Sequence, residues 1–317
     1  ESGIMLEEGV NESGAFSAWL ALATSYSNNN LPMVPFYIFY SMFGFQRIHD
    51  LAWAAGDSRA KGFLLGATSG RTTLNGEGLQ HQDGHSHILA STIPNCRSYD
   101  PCYSYELAAI IQEGIKDMYE EGNDRYYYIT VMNENYSHPA KPKRLKNEDI
   151  LKGAYKYKEH KKANLRILAS GVTLNFALEA EKELKKYEIN TEIWSITSFN
   201  ELYREGIETE RLNRLNSTSN QSYVQNCFNK DIPTIAVSEY QRAYPNQIRE
   251  WIKGDYVVLG TDGFGRSDTR EELRDFFEIS KDHIVLNGLL LKGKKKEAEK
   301  FIKDSAMVLN KEAPWKN

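Results

Sequence analysis

The 317 residues suffice for about two domains that each bury a core. With 41% hydrophobic and 26% charged residues the composition is that of a globular protein, and a net charge of −4 excludes general attraction to nucleic acid or anionic membranes. Three cysteines without a CxxC pair predict a reducing, cytoplasmic compartment, and no apolar run reaches the roughly 20 residues needed to cross a bilayer.

Predicted helices and strands alternate along the first half of the chain. Helical spacing occurs at residues 4–25, 45–55 and 105–120, and strand-like runs occur at 33–40, 62–68 and 126–132. The run 33–40 is almost entirely apolar, which predicts a strand buried on both faces of a parallel sheet. The alternation predicts an α/β fold with a mostly parallel sheet flanked by helices.

The segment NENYSHPAKPKRLKNED has prolines and lysines but no periodicity, which predicts a linker and domains at residues 1–141 and 142–317. After it the alternation resumes, so the second domain is also predicted to be α/β. Its predicted strands lie at 165–171, 191–199, 234–240 and 255–265, and its predicted helices at 173–187 and 246–253. A further helix is predicted to be capped by Asp268, with Glu271 as the capping-box partner.

The stretch LNGEGLQHQDGHSHI contains His81, His85 and His87 and follows a predicted parallel strand. No HExxH or Cys/His pattern accompanies these histidines, and the Asp83-Gly84 pair inside the set disfavours a regular element. A metal site, a structural loop and an organic active site all remain open. The active site is favoured, because ligands of parallel sheets bind at the carboxyl ends of the strands.

Glu12 lies on the same predicted helical face as Phe16, Trp19 and Ala23. A carboxylate in the middle of an apolar stripe is expected to be buried, which raises its pKa and requires a specific partner. This pattern predicts a functional acid. The alternatives are a residue at the rim of the core or a core glutamate paired with arginine or lysine.

An aromatic segment, YSMFGF, follows the predicted strand 33–40 and contains Tyr40 and Phe43. Aromatic rings at the carboxyl end of a parallel strand stack on a flat ligand or cap the core. The sequence alone favours the second interpretation.

Three segments together resemble the decarboxylating component of the pyruvate dehydrogenase complex, of the homodimeric bacterial type. They are LEEGVNESGA, the long stretch from ATSYSNNNLPM to HQDGHSHI, and VLGTDGFGRSD. The resemblance is strongest over residues 6–135 and 254–277. More distantly, the stretch from Gln82 to His87 resembles the EDG-x-x-H pattern of transketolases, with Gln in place of Glu.

This resemblance implies an enzyme that uses thiamin diphosphate and Mg²⁺ to decarboxylate pyruvate. It implies transfer of the acetyl group to the lipoyl domain of a dihydrolipoyl acetyltransferase, and a homodimeric assembly. Residues 1–141 would be a pyrimidine-binding domain that lacks its first part, and residues 142–317 a transketolase C-terminal-like domain. The diphosphate and metal ligands are expected on a preceding domain, because no GDG…N motif is found here. We therefore expect a fragment that has no metal ligands and is inactive by itself.

The resemblance also implies a role for individual residues. Glu12 matches the glutamate that binds the aminopyrimidine ring nitrogen, and Tyr40 and Phe43 match the aromatic residues around that ring. His81 matches an active-site histidine near the thiazolium and the substrate, and His87 matches a transketolase histidine. The role of His85 stays open.

Three other functions are compatible with the sequence. One is another thiamin diphosphate enzyme, such as a transketolase acting on sugar phosphates. The second is a histidine-metal hydrolase, and the third is a non-catalytic dimerisation fragment.

Overall fold

A computed structural model describes residues 3–76, 78–309 and 311–316. Its strands form two sheets, which confirms the predicted α/β class. The first sheet has the order β1-β2-β4-β3 and is parallel throughout, with β1 Phe36–Tyr40, β2 Phe63–Ala67, β3 Cys96–Tyr99 and β4 Tyr126–Thr130. The second has the order β5-β7-β6-β8-β9, with β5 Ala154–Lys158, β6 Leu165–Ala169, β7 Thr191–Ile196, β8 Thr234–Val237 and β9 Tyr256–Leu259. β5 is antiparallel to β7, and the other neighbouring strands are parallel.

Side chains of the central strands alternate between two buried apolar clusters, one on each face of the sheet. Helices therefore cover both faces of each sheet. In chain order, the first seven helices are α1 Glu12–Ala23, α2 Ser25–Asn28, α3 Ser41–Asp57, α4 Ser86–Ser91, α5 Ser104–Ile115, α6 Asn147–Leu151 and α7 Thr173–Leu184. The remaining helices are α8 Phe199–Asn216, α9 Tyr223–Cys227, α10 Ala243–Asn246, α11 Arg270–Phe276, α12 Lys281–Leu291 and α13 Lys295–Asp304. Short 3-10 turns lie at Leu79–His81, Lys185–Tyr187, Arg249–Trp251 and Pro314–Lys316, and a π turn lies at Lys116–Glu120. Each helix in the described ranges is too short or too polar to span a membrane.

The first helix begins at Glu12, so the prediction of a helix from residue 4 was wrong. Gly9 has a positive φ of 63°, which a continuous right-handed helix does not allow. Asn11 then caps α1, because its side-chain oxygen accepts a hydrogen bond from the backbone N–H of Gly14 at 3.0 Å.

The apolar strand β1 lies at an edge of the first sheet, so the prediction that it is buried on both faces was also wrong. Phe36, Ile38 and Tyr40 are 45%, 64% and 44% exposed. The fully buried strand of this sheet is β4, which pairs with a neighbour on each side.

Two predictions in the second half were wrong in detail. The predicted helix 246–253 is only the short α10 and a 3-10 turn. The helix predicted to be capped by Asp268 is capped one residue later, where Thr269 accepts a hydrogen bond from the backbone N–H of Glu272. Elements that the sequence did not predict include the strands β3 and β5, the longer helices α8, α12 and α13, and several helices of four to six residues. The boundary between residues 141 and 142 stays a prediction.

Candidate active site

Tyr40, Phe43 and His81 form one aromatic cluster at the carboxyl end of β1. The ring centroid of His81 lies 5.5 Å from that of Tyr40 and 5.1 Å from that of Phe43, and the Tyr40 and Phe43 centroids are 6.1 Å apart. Tyr40 ends β1, Phe43 lies in the first turn of α3, and His81 ends the 3-10 turn Leu79–His81. The structure therefore joins three predicted site residues that are up to 41 positions apart (81 − 40).

Arg47 connects this cluster to Glu12, and sequence reasoning missed it. Its guanidinium carbon lies 4.5 Å from the centre of the Phe43 ring, and it forms an ion pair with the Glu12 carboxylate. Phe43 and Arg47 are four residues apart on α3, so they share a helical face. That spacing was a signal in the sequence. We refer to Glu12, Tyr40, Phe43, Arg47 and His81 as the ring cluster.

Glu12 is less buried than we expected for a carboxylate in the middle of an apolar stripe. It is the first residue of α1 rather than a mid-helix residue, and its side chain is 19% exposed. Phe16, Trp19 and Ala23 are buried as predicted. The pairing with Arg47 and the favourable helix N-terminus explain why a carboxylate is tolerated here.

The three clustered histidines have three different environments. The stretch around them was expected to be irregular but contains the turn Leu79–His81 and the helix α4. His81 is partly exposed in the ring cluster. His85 precedes α4, where burial lowers its pKa. His87 is completely buried between the two sheets, with its ring centroid 4.7 Å from that of Tyr240 and 4.9 Å from that of Tyr244.

His87 belongs to a buried hydrogen-bonded chain that is separate from the ring cluster. The hydroxyl of Thr130 donates to Asp100 Oδ1 at 2.7 Å, so His87 Nε2, 2.9 Å away, donates to the same hydroxyl oxygen. His87 Nδ1 and Asp100 Oδ2 find no hydrogen-bond partner among the described residues. Burial lowers the pKa of His87 to about 3 and raises that of Asp100 to about 7.

We expect His87 and Asp100 to give opposite pH dependences of stability. Asp100 has a pKa of 3.8 when unfolded and about 7 when folded, so the native state holds its proton between these values and stability falls as pH rises. His87 has a pKa of 6.5 when unfolded and about 3 when folded, so the unfolded state holds its proton and stability rises with pH. The two effects oppose each other from about pH 4 to about pH 6.5.

Urea unfolding at several pH values measures both effects. Relative to the unaltered chain, the unfolding free energy of His87→Gln is expected to fall with pH and that of Asp100→Asn to rise, each by at most about 1.4 kcal/mol per pH unit. The other buried acids are the same in all three proteins, so their contributions cancel when the unfolding free energies are subtracted. Parallel curves for the three proteins would show that neither shift is real.

A metal site is not evident in the described part of the chain. Within residues 3–76, 78–309 and 311–316 no three His, Cys, Asp or Glu side chains are placed to hold an ion together.

Comparisons with known proteins agree with this architecture. Residues 1–139 match the family model of the pyruvate dehydrogenase E1 component middle domain, and residues 153–280 match that of the transketolase-like C-terminal domain. Among solved structures, the transketolase from Leishmania mexicana superposes with a TM-score of 0.68 at 17% identity, covering 92% of this chain and 38% of its own. The two sheets and their connections therefore define a chain of the transketolase-like fold class.

The curated relatives narrow this class to one family. The pyruvate dehydrogenase E1 component of Pseudomonas aeruginosa is 58% identical over 91% of this chain and 34% of its own length. That of Escherichia coli K12 is 51% identical over 97% of this chain and 35% of its own length. The chain belongs to the pyruvate dehydrogenase E1 component family and spans about a third of the length of these relatives.

Proposed function

We propose that this chain is the part of a thiamin diphosphate-dependent pyruvate dehydrogenase that surrounds the pyrimidine ring of the cofactor and the pyruvate. The observation that carries the proposal is the ring cluster, in which a carboxylate, two aromatic rings and an imidazole lie together at the end of β1. The family match supports the same assignment.

The ring cluster fits the chemistry of an aminopyrimidine. Tyr40 is 44% exposed, so a flat heteroaromatic ring can pack against it, and the Glu12 carboxylate can accept or share a proton with a ring nitrogen. When bound, thiamin diphosphate supplies the electron sink that decarboxylation of a 2-keto acid requires. We place the ligands of its diphosphate and of Mg²⁺ in the part of the relatives' length that this chain does not cover.

Each residue of the cluster has a proposed task. Glu12 holds a proton at the pyrimidine nitrogen. To do so, its carboxylate either keeps one oxygen on Arg47 or breaks the ion pair with Arg47. Tyr40 and Phe43 orient the ring. His81 donates a hydrogen bond to the carbonyl or carboxylate oxygen of pyruvate. The resemblance implies a catalytic role for His87 as well. Because its ring is buried between Tyr240 and Tyr244, we propose that His87 acts on the site only indirectly, through the packing between the two sheets.

The wider assignment concerns partners and location. The acetyl group is proposed to pass to the lipoyl domain of a dihydrolipoyl acetyltransferase, in a homodimeric enzyme whose pyrimidine-binding domain ends near residue 141. The three unpaired cysteines support a reducing, cytoplasmic location. Alone, the 317 residues are proposed not to turn over pyruvate.

The experiment replaces His81 by Ala in a polypeptide that carries this chain together with its diphosphate-binding region. We expect kcat for pyruvate to fall about tenfold, the value of one charge-assisted hydrogen bond, while the affinity for thiamin diphosphate changes less. Pyruvate-dependent ferricyanide reduction measures the first and fluorescence titration the second.

The exposed His160 offers a matched control, since His160→Ala removes an imidazole that is not part of the ring cluster. If His81 only stabilises its turn, His81→Ala would keep its turnover and lose melting temperature. That result would refute the proposed role.

A further inference from the structure

We propose that Gln82 is a positioning residue through which the carboxy-terminal half of the chain, residues 142–317, sets the place of His81. The proposal rests on the proposed function of His81. It concerns a side chain that touches no ring of the cluster in the contacts described above and acts through the turn Leu79–His81.

The Gln82 side chain is completely buried and its amide is fully used. Its Nε2 donates to the carbonyl of Leu74 at 2.9 Å and to the carbonyl of Arg266 at 2.6 Å. Its Oε1 accepts from the backbone N–H of Arg266 at 2.8 Å. One amide thus satisfies both polar backbone groups of Arg266 and leaves no donor unpaired.

The close approach behind this pairing depends on Gly265. A Cβ at that position would lie 2.6 Å from Gln82 Oε1 and would also collide with the carbonyl oxygen of Leu79. The loop after β9 therefore contacts the His81 turn directly, backbone against backbone. Because Leu79 and His81 belong to the same turn, a shift of this loop moves the imidazole.

Two other contacts from the carboxy-terminal half hold the flanks of the same segment. The Glu239 carboxylate accepts from the backbone N–H of Thr72 at 2.7 Å, and the backbone N–H of Gln241 donates to the carbonyl of Gly84 at 2.8 Å. Gln82 lies between these points and is bonded to His81 along the chain. The rings that His81 meets, Tyr40 and Phe43, belong to the first sheet and its helix.

An amide, rather than a carboxylate, suits this position. An ionised carboxylate of the same shape would face the carbonyl oxygens of Leu74 and Arg266 with no proton to donate. Both hydrogen bonds to these carbonyls would then be lost. The transketolase pattern has Glu where this chain has Gln82. We infer that Gln82→Glu makes the placement of His81 dependent on pH, with the Arg71 guanidinium, which donates to the Gln82 carbonyl at 2.8 Å, and the adjacent Asp83 carboxylate as the charged groups beside the new carboxyl.

The experiment uses the 317-residue chain with isotope-labelled histidine. The His81 ring protons are shifted by the ring currents of Tyr40 and Phe43, and they are assigned by their loss in His81→Gln. At about pH 8 we expect Gln82→Glu to move these signals toward the values of free histidine. At about pH 5 the difference from the unaltered chain should shrink, because a buried carboxyl with a raised pKa then carries a proton.

Asn200→Asp is the matched control. Asn200 is a buried amide that also crosses between the halves, donating to the carbonyl of His87 at 2.9 Å and to the Ser98 hydroxyl at 2.5 Å. Its replacement should reduce stability and leave the His81 signals in place. Gly265→Ala tests the same contact from the opposite side and should move the signals at both pH values.

Unchanged His81 signals in Gln82→Glu and Gly265→Ala would overturn the proposal, as would equal shifts in Asn200→Asp. The result is separable from the function of His81. Displaced signals together with unaltered pyruvate turnover in the longer enzyme would keep the positioning role and refute the catalytic one.

Discussion

Replacing Glu12 by Gln is expected to slow thiazolium proton exchange in the cofactor-loaded, longer enzyme by a factor of roughly 10² or more, the scale of a lost acid–base group. The amide keeps the shape of the side chain but cannot hold the shared proton. The fold should change little, because the Glu12–Arg47 pair is partly exposed and such pairs contribute about 0–1 kcal/mol.

Quenched exchange followed by NMR measures this rate. Glu8→Gln is the matched control, because Glu8 is an exposed acid close to α1 and its replacement changes the charge equally. Near-normal exchange in Glu12→Gln would remove Glu12 from the proposed mechanism. Unfolding of the variant would show instead that the ion pair with Arg47 is structural.

Replacing Arg166 by Met is expected to destabilise the chain by about 3 kcal/mol, the lower end of the range for breaking a buried ion pair. Arg166 is completely buried and donates to Glu192 at 2.8 Å, to the Thr234 hydroxyl at 3.2 Å and to the carbonyl of Lys230 at 3.1 Å. The Glu192 side chain is 1% exposed, so the variant leaves a buried carboxylate with Lys230 as its remaining ion-pair partner.

Urea unfolding of three variants separates the causes. Lys230→Met should cost less than Arg166→Met, because the Lys230 side chain is 39% exposed. The double change Arg166→Met with Glu192→Leu should recover much of the loss, since both buried charges are then gone. A cost below about 1 kcal/mol for Arg166→Met would show that water reaches Glu192 in the native state.

Sequence periodicity predicted the elements that have a clear apolar pattern of their own. The helices α3, α5 and α7 and the strands β2, β4 and β6 have clear apolar patterns and were placed within a few residues. By contrast, β3 has four residues, and α8 is largely polar because much of it faces solvent. Neither offers a strong pattern.

Other features depend on the rest of the fold. An apolar run such as that of β1 is compatible with an edge strand and with a central strand. Its exposure depends on whether a second strand pairs with it, which the sequence of β1 does not show. For the candidate site, the sequence named Glu12, Tyr40, Phe43 and His81, which the structure brings together, and whose functional roles stay predictions. Arg47 was missed, although its spacing from Phe43 was visible in the sequence. The spacing between His81 and His87 carries no information on which one faces the cluster.

The contacts that hold the His81 turn join residues far apart in the chain, and this sets an order of events during folding. Gln82 meets Arg266 across 184 positions, and Thr72 meets Glu239 across 167. Closing loops of that length is slow relative to local structure and is favourable only after the segments at both ends have formed. We therefore infer that the first sheet can form early, and that the imidazole reaches its place beside Tyr40 only after the loop that follows β9 has docked.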